Sequence, residues 1–158
     1  ALGAGLSHIR LIEQCSQDAK SYIIFEDDIE LDKSFYNNLN NFLKNLPDDW
    51  DIFYLYLNDF YLNKKQRKNK KQRYEVNNII YKPISPIGLV AYGVNHKSCK
   101  KIIKYLKPLN NDAIDDRLAY LIDEGHVKAY TTRNNIVLHP TEYYSNTFET
   151  KKIRNRIN

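Results

Sequence analysis

Residues 21–25 (SYIIF) run straight into Glu26-Asp27-Asp28, and that junction constrains the chain more than any other segment. A short apolar, β-favouring run fits a strand buried on both faces, as in a parallel sheet. The three carboxylates then emerge at its C-terminal end, where open α/β sheets place ligands. Side chains alternate along a strand, so Glu26 and Asp28 are expected on one side and Asp27 on the other. Three adjacent like charges repel. A hard divalent cation, Mg²⁺ or Mn²⁺, would offset them through oxygen ligands. The same residues also fit an acidic strand-end turn in which Asp27 or Asp28 caps the next segment.

Around this junction the pattern alternates. Residues 5–19 predict a helix, with Leu6, Ile9, Ile12 and Ala19 near one face. Asp32 reads as the N-cap of a helix through about Leu46, with Phe35, Leu39, Phe42, Leu43 and Leu46 inward. Pro47-Asp48-Asp49 breaks it. Residues 51–57 (DIFYLYL), 78–84 and 88–94 read as strands, 96–106 as a helix. Residues 115–124 form another helix, ended by Gly125 at C′. Residues 127–131 and 136–138 are late strands, and periodicity fades after Pro140. This order predicts one α/β domain with a mixed sheet.

The 158 residues carry 24 basic and 19 acidic groups, a net charge of +5. The sum hides a partition. Residues 1–63 have 4 basic and 11 acidic groups, while 64–73 (KKQRKNKKQR) have 7 basic and none acidic. The body is acidic, and the positive charge sits in a solvated basic loop and an irregular basic tail over 140–158. A nucleic-acid domain spreads its cations over a folded face, so specific nucleic-acid binding is not expected. The run at 64–73 instead suits an anionic membrane surface. No apolar run approaches a membrane span and no signal peptide is visible. Cys15 and Cys99 make no disulfide framework or zinc spacing. These features point to the cytoplasm, with membrane association through the basic loop.

Other chemistry-bearing residues are scattered. Asp112, Asp115 and Asp116 cluster at a helix start. N-capping and dipole compensation account for one or two of them, and a spare one could act as a general base. His8 follows Gly3-Ala4-Gly5 at the first helix, too loosely for a phosphate loop. His139, before Pro140, is a loop histidine or a metal or phosphate ligand. His96 and His126 receive no role. No nucleophile constellation stands out.

Several blocks, in order, resemble glycosyltransferase family 25, the lipooligosaccharide and collagen galactosyltransferase-like enzymes. They are Gly3-Ala4-Gly5-Leu6-Ser7-His8, Ile24-Phe25-Glu26-Asp27-Asp28-Ile29 and Trp50-Asp51-Ile52. Gly88-Leu89-Val90-Ala91-Tyr92-Gly93-Val94 with Ser98-Cys99-Lys100-Lys101 comes next, then Ala113-Ile114-Asp115-Asp116. Leu89 and Ala113 depart from the family's Thr and Pro. The resemblance implies a GT-A-like nucleotide-sugar-binding fold. It implies transfer of a sugar, typically galactose, from a UDP-sugar to a glycan or lipid-linked acceptor, with inversion. Asp28, with Glu26 or Asp27, would bind Mn²⁺ or Mg²⁺, and His139 is taken as a further ligand. Ser7, His8, Glu26, Asp27, Gly88 and Tyr92 would line the donor site. Asp115 would take the acceptor proton, with Asp116 as substitute. Family members carry a strand and helix ahead of the residue equivalent to Ala1, so an N-terminally truncated domain is expected. A non-catalytic relative that binds sugar without turnover is the alternative, and a nucleic-acid-binding protein stands further behind.

Overall fold

The computed structural model describes residues 2–58, 73–109 and 113–139. Asp112, residues 64–72 of the basic run and the tail 140–158 lie outside these. Helix α1 spans Leu2–Asp18 and α2 Phe35–Asn45; α3 is Cys99–Leu106 and α4 Ile114–Asp123. Strands β1 (Tyr22–Phe25), β2 (Ile52–Tyr54), β5 (Ala91–Val94) and β6 (Ala129–Tyr130) form one sheet in the order β1-β5-β2-β6. β5 is antiparallel to both neighbours, and β2 is parallel to β6, so the sheet is mixed as expected.

The sheet is covered on both faces. Ile52 and Tyr54 join Ile24, Tyr92 and Val94 in a core with Ile9 and Ile12 of α1, Ile102 and Leu106 of α3, and Leu118 of α4. Phe53 and Leu55 alternate to the other face and pack with Phe35, Leu39 and Phe42 of α2 and with Ile136 and Val137. Every β2 side chain is therefore buried, which explains its uninterrupted apolar run. At its centre Phe53 pairs with Gly93 of β5 in register. A Cβ on Gly93 would lie 2.1 Å from the Phe53 ring, so only glycine leaves room for the phenyl group.

Several expectations need correction. Among the described residues β1 lies at the edge of the sheet, paired with antiparallel β5 alone, and Ile23 and Phe25 are exposed on its α2 side. It is therefore not buried on both faces. The inner face of α1 is Gly5, His8, Ile9, Ile12 and Cys15; Leu6 is exposed, and Ala19 follows the helix in a left-handed conformation. Leu43 of α2 is exposed as well. Asp32 does not cap from the N-cap position. Its carboxylate instead accepts the backbone N–H (2.8 Å) and hydroxyl of Ser34, the residue before α2.

The stretch expected as one strand over 78–84 is the return arm of a hairpin, β3 (Arg73–Glu75) with β4 (Tyr81–Pro83). Asn77 Oδ1 closes its turn by accepting the N–H groups of Ile79 and Ile80. Arg73, the last residue of the basic run, opens β3, and its guanidinium donates to Thr132 O and Asn135 Oδ1. Residues 136–138 form no strand. Ile136 and Val137 donate to Leu55 O, and only Leu138 bridges, to Glu30.

The helix ends follow local chemistry. Gly125, with positive φ, donates to Ile122 O, and His126 N–H to Leu121 O, a Schellman closure of α4. Cys15 and Cys99 are free and buried, with their sulfurs 3.2 Å apart between α1 and α3. Burial and the neighbouring Cys15 push the Cys99 thiol well above its usual range, so the pair is a packing contact.

Candidate active site

Two groups of side chains gather where β1 ends. On the α1 side, the buried His8 ring places Nδ1 3.0 Å from the Tyr92 hydroxyl and Nε2 3.5 Å from Glu26 Oε1. α1 supplies the histidine from its inner face, β5 supplies Tyr92, and Glu26 extends the ladder by donating its N–H to Val90 O. A carboxylate only accepts, so a neutral His8 carries its proton on Nε2 and receives the Tyr92 O–H at Nδ1. Burial above all, then Tyr54 and Glu26, push the Tyr92 phenol far up, which keeps it protonated and donating.

On the other side, His139 Nε2 lies 3.2 Å from Asp28 Oδ2. The reciprocal Glu30–Leu138 backbone pair delivers this histidine, and its ring rests on Tyr56. Asp28 Oδ1 is buried with no hydrogen-bond partner. A buried oxygen in that state has lost its water and gained nothing, which is costly unless something else binds it.

The alternation expected to put Glu26 and Asp28 on one side does not survive. β1 ends at Phe25 and the chain turns at Asp27-Asp28. Glu26 faces His8, whereas Asp28 faces His139 beside Tyr56, a residue packed against the α2-side core. Asp27 is exposed in the turn. Glu26, Asp28 and His139 therefore do not converge as three metal ligands. Among the described residues no three His, Cys, Asp or Glu side chains gather to hold a metal ion.

Asp115 lies in the first turn of α4, two residues beyond Ala113 at the N-cap position. Its Oδ2 accepts the Gly88 N–H at 3.2 Å, and Gly88 has the positive φ that glycine permits. At the other end of α4, Asp123 accepts the Ser85 N–H and hydroxyl. The two carboxylates hold the 85–88 turn along the helix, next to the Val90 carbonyl that pairs with Glu26. Asp116 is exposed on the outer side of α4. Ser7, also exposed, donates its hydroxyl back to Gly3 O.

Two further residues carry weight that the sequence did not reveal. The Tyr54 hydroxyl is buried without a partner, and burial, with Asp115 and Asp123 nearby, drives its pKa strongly up. The sequence placed Tyr54 within a strand over 51–57, but the orphaned hydroxyl was not legible. Asp51 is buried and accepts from Ser98 Oγ, Lys101 Nζ and Lys128 N–H, joining β2 to α3 and β6. Its carboxylate is structural.

The sequence model of glycosyltransferase family 25, described as an LPS biosynthesis protein family, matches residues 1–124. The chain belongs to glycosyltransferase family 25. The match covers Ser7, His8, Glu26, Asp28, Gly88, Tyr92, Asp115 and Asp116 and stops before His139. Membership supports a glycosyltransferase with sugar donor and acceptor substrates. No curated protein matches the chain significantly. No helix among the described residues is long and apolar enough to cross a membrane.

Proposed function

We propose that the chain transfers a sugar, galactose by the family resemblance, from a UDP-sugar to a glycan or lipid-linked acceptor, with inversion and on a GT-A-type fold. The observation that carries this is the pairing of Asp28 with His139 while a second Asp28 oxygen stays buried and unpartnered. Asp28 and His139 would hold Mn²⁺ or Mg²⁺, which supplies charge neutralisation for the departing diphosphate. Two protein ligands suit a hard cation that completes its shell with phosphate oxygens and water. Glu26, turned to His8, is left to orient that ring rather than to bind the ion.

The chain's own groups divide the remaining work. His8, fixed between Tyr92 and Glu26, presents a set tautomer to the donor side. The Gly88 turn brings main chain close to the donor, with Ser7 and Asp27 at the exposed edge. Asp115, oriented by Gly88 N–H, takes the acceptor hydroxyl proton, and Asp116 is its substitute.

The test is a transfer and donor-hydrolysis assay with UDP-galactose and Mn²⁺, with and without chelator. Metal-dependent release of UDP, abolished in Asp28→Ala, is expected. Turnover indifferent to chelator and to D28A would overturn the metal-dependent reading. Sugar binding with no turnover for any nucleotide sugar would favour a non-catalytic relative.

A further inference from the structure

A polar cleft of about 240 Å³ opens on the α2 side of the sheet, between the outer face of α2, the β3–β4 turn and the 132–136 strap. Ile79 and Ile136 give it apolar wall, and Asn41, Asn78, Asn134 and Arg133 give it polar edge. These four polar side chains are exposed. Among the described residues, none of the four side chains has an intramolecular hydrogen-bond or ion-pair partner. Neighbouring amides are occupied: Asn38 donates to Ser34 Oγ, and Asn135 is held by Arg73 and Leu57. The strap is therefore fixed by Asn135, while the amides beside it face solvent, where a ligand could replace their water.

The chemistry selects the occupant. Three primary amides offer donors and acceptors together without charge, which matches hydroxyl groups that both donate and accept. The isoleucines suit the C–H face of a sugar ring. A nucleotide phosphate would call for more than one cation, and a purely apolar ligand would leave the amides unpaired. The volume sits just below the ~300 Å³ at which ligand pockets usually begin, so it suits one ring rather than a long chain.

Placement ties the cleft to the site at β1. Ile136 and His139 are three residues apart, and an extended chain advances at most about 3.6 Å per residue. The cleft wall therefore lies within roughly 11 Å of the backbone of His139, a span that one or two sugar rings bridge. We infer that this cleft is a subsite for a neutral sugar residue of the acceptor, one or two rings away from the reacting hydroxyl. The assignment to the acceptor rests on the transferase reading; the assignment to a sugar rests on the cleft alone.

Saturation-transfer NMR on the intact chain, without metal or nucleotide, tests it with methyl galactoside, methyl glucoside, methyl mannoside and methyl N-acetylglucosaminide. At least one should bind, and Asn41→Ala and Asn134→Ala should each weaken it about threefold to tenfold, as the loss of one neutral hydrogen bond predicts. The two substitutions lie on different elements and remove amides with no internal partner, so unchanged thermal melting is expected. Asp28→Ala should leave the glycoside signal intact. No binding by any glycoside, or binding unaffected by both substitutions, overturns the subsite. Binding of inorganic sulfate in place of glycosides, lost in Arg133→Ala, overturns it in favour of an anion site. Transfer activity without glycoside binding would sink this inference and spare the proposed function; the reverse result would do the opposite.

Discussion

His139 Nε2 meets Asp28 Oδ2 at 3.2 Å across 111 residues of sequence, through a strap that the Glu30–Leu138 backbone pair holds in place. Without a cation, His139 donates its Nε2 proton to the carboxylate. With one between them, Nε2 must present its lone pair, so the ring proton moves to Nδ1. Asp28→Ala removes both the paired and the orphaned oxygen and should abolish Mn²⁺ binding. His139→Ala should weaken it by about tenfold or more while leaving the fold intact. Calorimetric titration of Mn²⁺ into the three proteins checks this, and equal affinity in all three would remove the pair from the proposed metal site.

The pair also shows where the sequence stops speaking. The apolar run at β1, a strand within 51–57 and the Gly125 closure of α4 follow from local chemistry, and each was legible. The burial of β1 was not, because a short apolar strand looks the same at a sheet's edge as at its centre. The side on which Glu26 and Asp28 fall depended on where pairing ended, which alternation alone does not mark. His139 read either as a loop histidine or as a metal or phosphate ligand, and the sequence left its partner open, since a backbone bridge from Leu138 to Glu30 that no motif announces sets it. Cys15 and Cys99 likewise meet across 84 residues. The acidic turn and Asp115 stand out in the sequence because their chemistry is local; their partners are tertiary.

Tyr54 buries its hydroxyl with no partner, in a core of aliphatic and aromatic groups. Leaving such a group unpaired costs about 1–3 kcal/mol. Tyr54→Phe should therefore stabilise the chain by about 1 kcal/mol, unlike most core substitutions. Urea unfolding measures it. A clear loss of stability instead would mean that the hydroxyl is bonded in solution, by a buried water or by Asp115.

Burial pushes the phenols of Tyr54 and Tyr92 far above their ordinary 10.0, and burial with the hydrogen bond to Asp49 lifts Tyr130 to about 12. In the unfolded chain all three ionise near 10. Above that pH the unfolded state has released protons that the folded state keeps, so stability falls as pH rises. Their contribution is complete below pH ~10, and for Tyr130 it disappears as pH climbs toward ~12. Unfolding midpoints should hold level through about pH 9 and decline beyond about pH 10, less steeply in Tyr130→Phe. A flat profile to pH ~11 would show that these hydroxyls are wetter than the packing implies.

Gly93 and Phe53 share one space that holds only the phenyl ring. Phe53 is 2% exposed, and its ring sits between those of Phe42 and Trp50, with centroids 5.3 and 5.1 Å away. A methyl group on Gly93 would come within 2.1 Å of ring carbon Cζ and 2.5 Å of Cε2, so the ring or the strand must shift. Gly93→Ala should cost about 3 kcal/mol, the upper range for overpacking a filled core. Phe53→Leu alone should destabilise through the space it leaves, but in the Gly93→Ala background it should relieve the clash. The two changes should therefore couple by about 1–3 kcal/mol, read from urea unfolding of the four proteins in a double-mutant cycle. Simple additivity would mean that the sheet, rather than the ring, gives way.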